Sequence, residues 1–567
     1  MKVCSASLRR MVASGLILVF TILPLPSVMA QGTTGGDGLA ALPLSPVERA
    51  QQDGTALPLS LTELTKLVLQ NNLDIAIQDI NEESRRQALV GTYGAYDPSL
   101  SATLSTSSDR RISTSNFDTA GSGTTISDRS NWNFSFNQSV MKTGGSMRAN
   151  WNSGRNETNS NSATFNPSFS SNLSFTYTQP LLRNLRIDNT RNQIKLANLD
   201  LELNDVQFKQ SVTTTIANVQ SRYWDLVSAI RNYEIQRRAV ELAQINLRDQ
   251  RRRLEVGTVP PIDVTTAEAS VTSRELNLIT AEDRILQTQN QLRQLVSNDR
   301  NSDIWKRVIV PTDTPDFREY KIDAETAVAI ALQNRPEMEQ SRISVTRLDL
   351  QSVLYQNNKK WGLDLNTSFQ TSGQAGPQSC RRDPFTGNCQ IIDGSPVLAV
   401  NPDMVGAVPT AYKTMFTNPG TNWSVQFTVN VPLRNRSLET QIAQNEISKR
   451  QELMRRRQQE QNIQVDVLNA LQSLESSRKQ VTAAEVARKT AELQYDGEVK
   501  RNEAGLTQNY RVLEVQQQLS NQEYQELQAL ISYKQAVITL QRVMYNLLDA
   551  SEFTIARGSS QNVPNLR

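Results

Sequence analysis

Long helices with a narrow apolar seam dominate the pattern of the chain. Apolar positions in the first of them recur at alternating spacings of four and three residues, the repeat of a coiled coil. They are Val212, Ile216, Val219, Tyr223, Leu226, Ile230 and Tyr233. A similar seam runs from Leu527 to Leu547, with Lys534 interrupting it. Both seams predict packed core rather than a ligand site, and residues 189–256 predict a rod of about 100 Å.

Short segments of strictly alternating polarity stand between these helices. In the segment NWSVQFTVNV, Trp423, Phe427 and Val429 point to one side, whereas Ser, Gln, Thr and Asn residues point to the other. The segments NWNFSFNQ and NLSFTYTQ alternate in the same way. One apolar and one polar face is typical of a transmembrane barrel with a wet lumen. A soluble sandwich with one solvated face is the alternative.

The chain contains an internal duplication. Leu69, Gln70 and Asn71 match Leu332, Gln333 and Asn334 at an offset of 263, and Gly257 matches Gly505. Each copy has the order helix, strands, long helix, glycine break, helix. In the first copy the helix before the strands is predicted over about 61–93 and the helix after the break over about 262–298. The predicted parts are a signal peptide at 1–30, an N-terminal linker at 31–60, a first repeat at 61–298 (strands about 98–178, tip 256–263), a linker at 299–321, a second repeat at 322–548 (strands about 362–431, tip 504–511) and a C-terminal tail at 549–567.

The N-terminal segment predicts secretion. Basic residues precede a short apolar run, and SVMA precedes Gln31, as in a cleaved signal peptide; an uncleaved anchor is the alternative. No later segment holds eighteen consecutive apolar residues, so a membrane-embedded form is expected only as a β-barrel. In an oxidising compartment Cys380 and Cys389 are predicted to form a disulfide, with a pair of free loop thiols as the alternative.

Composition excludes several classes of function. The chain has no histidine, which removes histidine-based catalysis and most zinc sites, so we expect no enzyme, no cofactor and no metal centre. The formal net charge of +3 comes without a long basic run, so nucleic acid is not an expected partner. Carboxylates such as Asp263 and Glu268 are expected on a solvated or pore-lining helix face.

Several motifs together resemble the TolC family of outer membrane efflux proteins. They are the paired segments LQNN and LQNR, the strand exit QPLLRN, and the tips VGTVPPIDV and AGLTQNYRVLE, in an order that occurs twice. The resemblance implies a membrane α+β fold in which a homotrimer shares one β-barrel in outer membrane lipid and one periplasmic α-helical tunnel. It also implies a passive duct of a tripartite efflux or type I secretion system, joined through a periplasmic adaptor to an inner-membrane transporter.

The chain departs from the family in its number of strands. The family has four strands per protomer, two for each repeat, and the second repeat here has two. The first repeat has four, because a hairpin at 131–153 is added. The predicted strands are 98–106, 131–140, 145–153, 169–178, 362–370 and 422–431. We predict that the added hairpin joins the barrel, and a hairpin folded outside the barrel wall is the alternative. The stretches 107–130, 153–168 and 371–421 are predicted to be exposed loops.

The resemblance also assigns roles to the two helical tips. It implies that Val256, Gly257, Thr258, Gly505 and Leu506 dock the adaptor. Asp263 lies where the family has an aspartate linked to channel closure, and Arg511 lies where it often has an acidic residue, with Glu514 one turn later. We therefore expect an ion pair between Asp263 and Arg511 on neighbouring tips to help close the mouth. Arg251 to Arg253 are expected to complement the helix C-terminus.

Three other functions compete with an export duct. A secreted coiled-coil scaffold explains the heptads but leaves the Trp- and Phe-bearing strands unburied. A stand-alone porin does not require helices of about 100 Å, and an enzyme has no histidine to use. The cargo, whether drug, metal, polysaccharide or protein, stays open, because a passive pore need not recognise what passes through it.

Overall fold

A computed structural model describes residues 43–112, 123–160, 163–378, 380, 388–397, 401–417 and 419–547. The predicted signal peptide and C-terminal tail lie outside these residues. The first part of the chain contains α1 (Pro46–Gln52), β1 (Ala56–Leu59), α2 (Leu61–Asn71), α3 (Leu73–Tyr93), β2 (Ser99–Ile112), β3 (Thr124–Ser139), β4 (Ser146–Thr158), β5 (Ser168–Pro180), α4 (Asn189–Glu255) and α5 (Pro261–Val296).

The second part repeats this order with fewer long strands. It contains β6 (Val308–Pro311), α6 (Ala324–Asn334), α7 (Pro336–Asn358), β7 (Gly362–Ala375), β8 (Ile391–Ile392), β9 (Ser395–Pro396), α8 (Val408–Thr417), β10 (Gly420–Asn430), α9 (Arg436–Glu503) and α10 (Asn509–Met544). The helix boundaries therefore follow the duplicated pattern of the sequence closely.

The heptad seam of α4 forms the centre of the first core. Val212, Ile216, Tyr223 and Leu226 are at most 1% exposed and pack with apolar side chains of α2, α5 and α10. A second core lies where α6, α9 and α10 meet. The burial of apolar side chains along one narrow stripe makes the largest contribution to the stability of each long helix.

Each shorter helix before the strands is divided into two consecutive pieces, α2 and α3 in the first repeat and α6 and α7 in the second. The sequence predicts one helix over about 61–93, and this is wrong, because Asn72 adopts an extended backbone and caps α3 through the amides of Asp74 and Ile75. Arg335 makes the same break in the second repeat, at the same offset of 263 residues. An asparagine cap in one repeat and a proline restart at Pro336 in the other interrupt the helix at equivalent points.

The two linkers meet halfway along the long helices. β1 pairs in parallel with β6, and Tyr233 donates a hydrogen bond to the carbonyl of Pro43. The hydroxyl of Tyr223 lies 2.6 Å from a carboxylate oxygen of Asp313, and burial raises the pKa of this tyrosine. None of the described helices is long and apolar enough to cross a membrane.

Six long strands form one antiparallel sheet in the order β10-β7-β5-β4-β3-β2. The added hairpin β3–β4 therefore lies in the same sheet as the other strands. The prediction of exposed loops between the strands is wrong in part, because 107–112, 124–130, 153–158 and 371–375 extend the strands. Their Ser- and Thr-rich sequences have no apolar alternation, yet they pair residue by residue with a neighbour, for example Ile112 with Thr124.

Candidate functional site

The polar face of the sheet is a wall of hydroxyl and amide groups. Hydrogen bonds join it across the strands, from Ser135 to Asn150 at 2.7 Å and from Thr178 to Asn366 at 2.9 Å. A trough of about 550 Å³ on this face is lined mainly by Asn131, Asn133, Asn152, Asn172 and Ser372. Polar groups that satisfy one another in this way suit a surface in contact with water.

The other face of the sheet is apolar and largely exposed. Its exposed side chains include Leu100, Leu104, Phe175, Phe369, Trp423, Val425, Phe427 and Val429. A contiguous apolar surface of this kind marks contact with a membrane or another protein. The two edge strands β2 and β10 are almost fully exposed and have a neighbour on one side only.

Arg191 anchors the added hairpin to the base of α4. Its side chain is 9% exposed and donates to the carbonyl of Leu185 at 2.8 Å, to the carbonyl of Asn184 and to the carboxylate of Asp188. The turn between β3 and β4 lies directly against this arginine. Gly144 permits this close approach, because a side chain there would place its Cβ only 2.5 Å from the guanidinium. No sequence pattern indicated this role, because Arg191 looks like an ordinary arginine in the first turn of a helix.

Helix α8 lies against the apolar face at the end of the sheet far from the long helices. The prediction of an exposed loop over 371–421 is wrong here. Ala411, Thr414 and Met415 are buried against β7 and β5, and Tyr412 accepts a hydrogen bond from Trp132 at 2.8 Å. The missed signal is the helical spacing of Val408, Ala411, Tyr412 and Met415 in a segment otherwise rich in turn residues.

The two helical tips have the same construction. Gly257 and Gly505 have φ angles of +75° and +72°, and a Cβ at either position would meet nothing within 4 Å. An exposed apolar side chain precedes or follows each glycine, Val256 at 74% and Leu506 at 73%. Thr258 closes the first tip through a hydrogen bond from its hydroxyl to the carbonyl of Arg253. Each tip therefore presents backbone and one apolar side chain to the outside.

Two ion pairs form within one chain at or near the tips. Arg511 donates to Glu514 at 2.6 Å, and Arg251 donates to Glu268 at 2.8 Å across the first hairpin. Among the described residues, no ion pair joins Asp263 to Arg511 in a single chain. Contact between Asp263 and Arg511 on neighbouring tips therefore stays a prediction. In such a contact Arg511 would bind both Asp263 and Glu514.

A polar layer interrupts the apolar packing of the helices within a few turns of the tips. Gln250, Arg274 and Gln516 are at most 4% exposed. Arg274 has Ser270 as a hydrogen-bond partner at 3.4 Å, and Gln250 and Gln516 each have an unsatisfied polar atom. Burial lowers the pKa of Arg274 and raises that of the neighbouring Tyr495. Unsatisfied buried groups of this kind lower the local stability of the packed helices.

Cys380 and Cys389 lie at the same end of the sheet as α8. Their Cα atoms are 5.4 Å apart and the structure pairs them as a disulfide, a separation within the usual range for such bonds. Within the described ranges, no group of three cysteine or acidic side chains stands close enough to hold a metal ion.

Comparison with known proteins gives the family and the fold. The profile of the outer membrane efflux protein family matches residues 142–298 and 327–544, more than half of the chain. No curated protein sequence matches the chain. The solved structures that resemble it include the outer membrane channel CmeC of Campylobacter jejuni, with 16% identity, coverage of 88% of this chain and 87% of that chain, and a TM-score of 0.57. VceC of Vibrio cholerae has 12% identity, covers 88% and 97%, and has a TM-score of 0.57. The open state of MtrE from Neisseria gonorrhoeae has 13% identity, covers 86% and 89%, and has a TM-score of 0.55.

Proposed function

This chain belongs to the outer membrane efflux protein family, and we propose on that premise that it is the outer membrane duct of a tripartite efflux or type I secretion system. Three copies form a passive channel that carries cargo from an inner-membrane transporter across the periplasm and the outer membrane. The observation that supports this most is the six-stranded sheet, which is apolar on one face and polar on the other and continues at one end into long helices.

The two open edges of the sheet require neighbours. Unpaired backbone groups are not tolerated in lipid, so β2 and β10 must pair with another chain. Because six antiparallel strands separate the two edges, β10 of one copy runs antiparallel to β2 of the next. Three copies then close a barrel of eighteen strands. With strands about 4.8 Å apart and tilted by about 40°, the backbone of this barrel is about 35 Å across.

The helical tips are the proposed contact with the adaptor. Val256, Gly257, Thr258, Gly505 and Leu506 offer exposed backbone and apolar side chains at the far end of the rods from the sheet. Backbone groups in a tight turn give a partner hydrogen bonds that do not depend on a flexible side chain. The transporter selects the cargo, because the polar face of the sheet is built mainly from serine, threonine and asparagine, with a few charged residues such as Arg148, rather than from a binding pocket.

We expect the protein extracted from outer membranes to be a trimer. Native mass measurement in detergent should find three times the mass of one mature chain, because only a closed ring satisfies both sheet edges. Alkali should leave the protein in the membrane fraction. A monomer in detergent, or release by alkali alone, would contradict the shared barrel and favour the secreted scaffold.

We also expect the charge at positions 263 and 511 to set the open probability of the mouth. Single-channel recordings of Asp263→Arg and of Arg511→Asp should show an increase, and the double swap should reverse it. An exposed pair contributes up to about 1 kcal/mol, which is up to about fivefold in open probability for each pair.

Glu514→Gln is the matched control for this pair. It frees Arg511 from its partner in the same chain, so the mouth should stay closed or close more firmly. If the double swap restores nothing, the pairing between Asp263 and Arg511 is wrong.

A further inference from the structure

Helix α8 is fixed to the apolar face rather than loosely placed on it. Gly373 allows α8 to approach the sheet closely, because a Cβ at this position would lie closer than 3.0 Å to both the carbonyl oxygen of Ala411 and the amide of Met415. The hydroxyl of Thr371 donates to the carbonyl of Met415 at 2.8 Å. The ring of Tyr412 lies 5.3 Å from that of Trp151. Backbone contact at a glycine together with hydrogen bonds gives α8 one defined position.

The outer side of α8 has the composition of an interfacial helix. Phe416 is 69% exposed, and Lys413, one turn earlier on the same side, is also exposed. Arg110 lies on the same face but on the edge strand β2, next to the acidic Asp128 and Glu157, so it adds no net positive charge to this surface. An exposed apolar ring beside a lysine on one helix is typical of the boundary between acyl chains and anionic headgroups.

The apolar band of the sheet is short without α8. Beside β7 and along it the band runs from Trp361 to Phe369, and on β10 and just beyond it from Trp423 to Val431, each about 26 Å along the strand at about 3.3 Å per residue. A tilt of about 40° reduces this to about 20 Å, whereas a transmembrane barrel has an apolar band of about 25 Å. The next row of β7 carries Thr371 and then Gly373, where α8 is seated.

We propose that α8 completes the membrane-facing wall and binds the phosphate-bearing headgroups of the outer leaflet. Phe416 lies at the acyl boundary, and Lys413 lies at the level of the lipid phosphates. The orientation rests on the proposed function, since it takes the apolar face of the sheet as the face towards lipid. The occupant of this surface is lipid, because the surface continues the apolar band and Lys413 adds a positive charge at its edge.

Depth-dependent quenching tests the position of α8. The trimer, with a fluorophore on Phe416→Cys, Phe175→Cys or Thr103→Cys, is placed in phosphatidylcholine vesicles brominated either near the headgroup or near the chain end. We expect headgroup-side bromine to quench position 416, deep bromine to quench position 175, and neither to quench position 103 on the polar face. Quenching at 175 without quenching at 416 overturns the role of α8 alone. Absence of quenching at both position 175 and position 416 also overturns the assignment of the apolar face of the sheet to lipid.

Lipid retention tests the charge. Native mass spectrometry should show phosphatidylglycerol retained over phosphatidylcholine, with a loss of about fivefold for Lys413→Gln. Lys66→Gln, which replaces an exposed lysine on α2, is the matched control and should change nothing. Equal retention of both lipids by the unmodified protein overturns the headgroup contact.

Discussion

In the proposed trimer, replacement of Arg191 by methionine is expected to loosen the β3–β4 turn from the base of α4 and to lower the stability of the trimer. Methionine has similar length but leaves the carboxylate of Asp188 and the carbonyls of Asn184 and Leu185 without a donor. Breaking a largely buried ion pair with its hydrogen bonds costs about 3–5 kcal/mol. The carbonyls of Lys142 and Thr143 in the β3–β4 turn accept hydrogen bonds from Arg191 and Gln179. Both strands also pair along their length with β2 and β5, so the loss is local to the turn.

The measurement is the temperature at which the detergent-solubilised trimer dissociates, together with proteolysis in the turn between β3 and β4. Lys195→Met is the matched control, because Lys195 is exposed on the next turn of α4 and its replacement removes the same charge. Arg191→Lys should rescue part of the loss, since an ammonium keeps the charge but cannot reach all the acceptors of a guanidinium. An Arg191→Met trimer as stable as the Lys195→Met trimer would show that the anchor does not hold the hairpin.

The helical part of the fold was predictable from the sequence, because its signals are long and periodic. The seam through Val212, Tyr223 and Tyr233 is buried as the heptads predict. The prolines and Gly257 end and restart the rods at the expected place. The break at Asn72 was missed, because one asparagine inside a helical pattern is a weak signal compared with the apolar residues on both sides.

The sheet was predictable only where its strands alternate. Ser- and Thr-rich ends such as 107–112 pair through the backbone, and backbone pairing leaves no pattern of side chains to detect. The seat of α8 depends on Gly373, more than thirty residues before the helix, so local periodicity could not place it. The role of Arg191 could not be predicted either, because most of its acceptors are backbone carbonyl groups, which leave no motif in the sequence.

The site was predictable as a set of positions but not as a set of contacts. The two tips lie where the repeated glycines put them, with nearly equal backbone geometry at Gly257 and Gly505. The sequence suggested Asp263 as the partner of Arg511, while within one chain Glu514 takes that place. Charged residues one helical turn apart pair readily, so a contact between chains has to compete with a local one.

In the proposed duct, valine at both tip glycines, Gly257→Val with Gly505→Val, is expected to reduce export at least tenfold while leaving the trimer intact. A φ angle near +75° costs a side chain about 1–2 kcal/mol, and a β-branched side chain makes the left-handed conformation still less favourable. The turn must change shape to relieve this strain. Since nothing lies within 4 Å of either position, the change affects what docks there rather than the packing of the rods.

Gly54→Val is the control that separates docking from strain. Gly54 has a φ angle of +70° and open space around it, but it lies beside the linkers rather than at a tip. Export of a reporter cargo, cross-linking to the adaptor and conductance in planar bilayers should be measured together. We expect the double tip variant to lose cross-linking and at least tenfold of export with conductance retained, because about 1.4 kcal/mol of lost docking is already tenfold in affinity. Gly54→Val should retain all three. Export at the normal rate in the double tip variant would mean that the adaptor binds elsewhere on the helices, and loss of export in both variants would mean that strain, not docking, was measured.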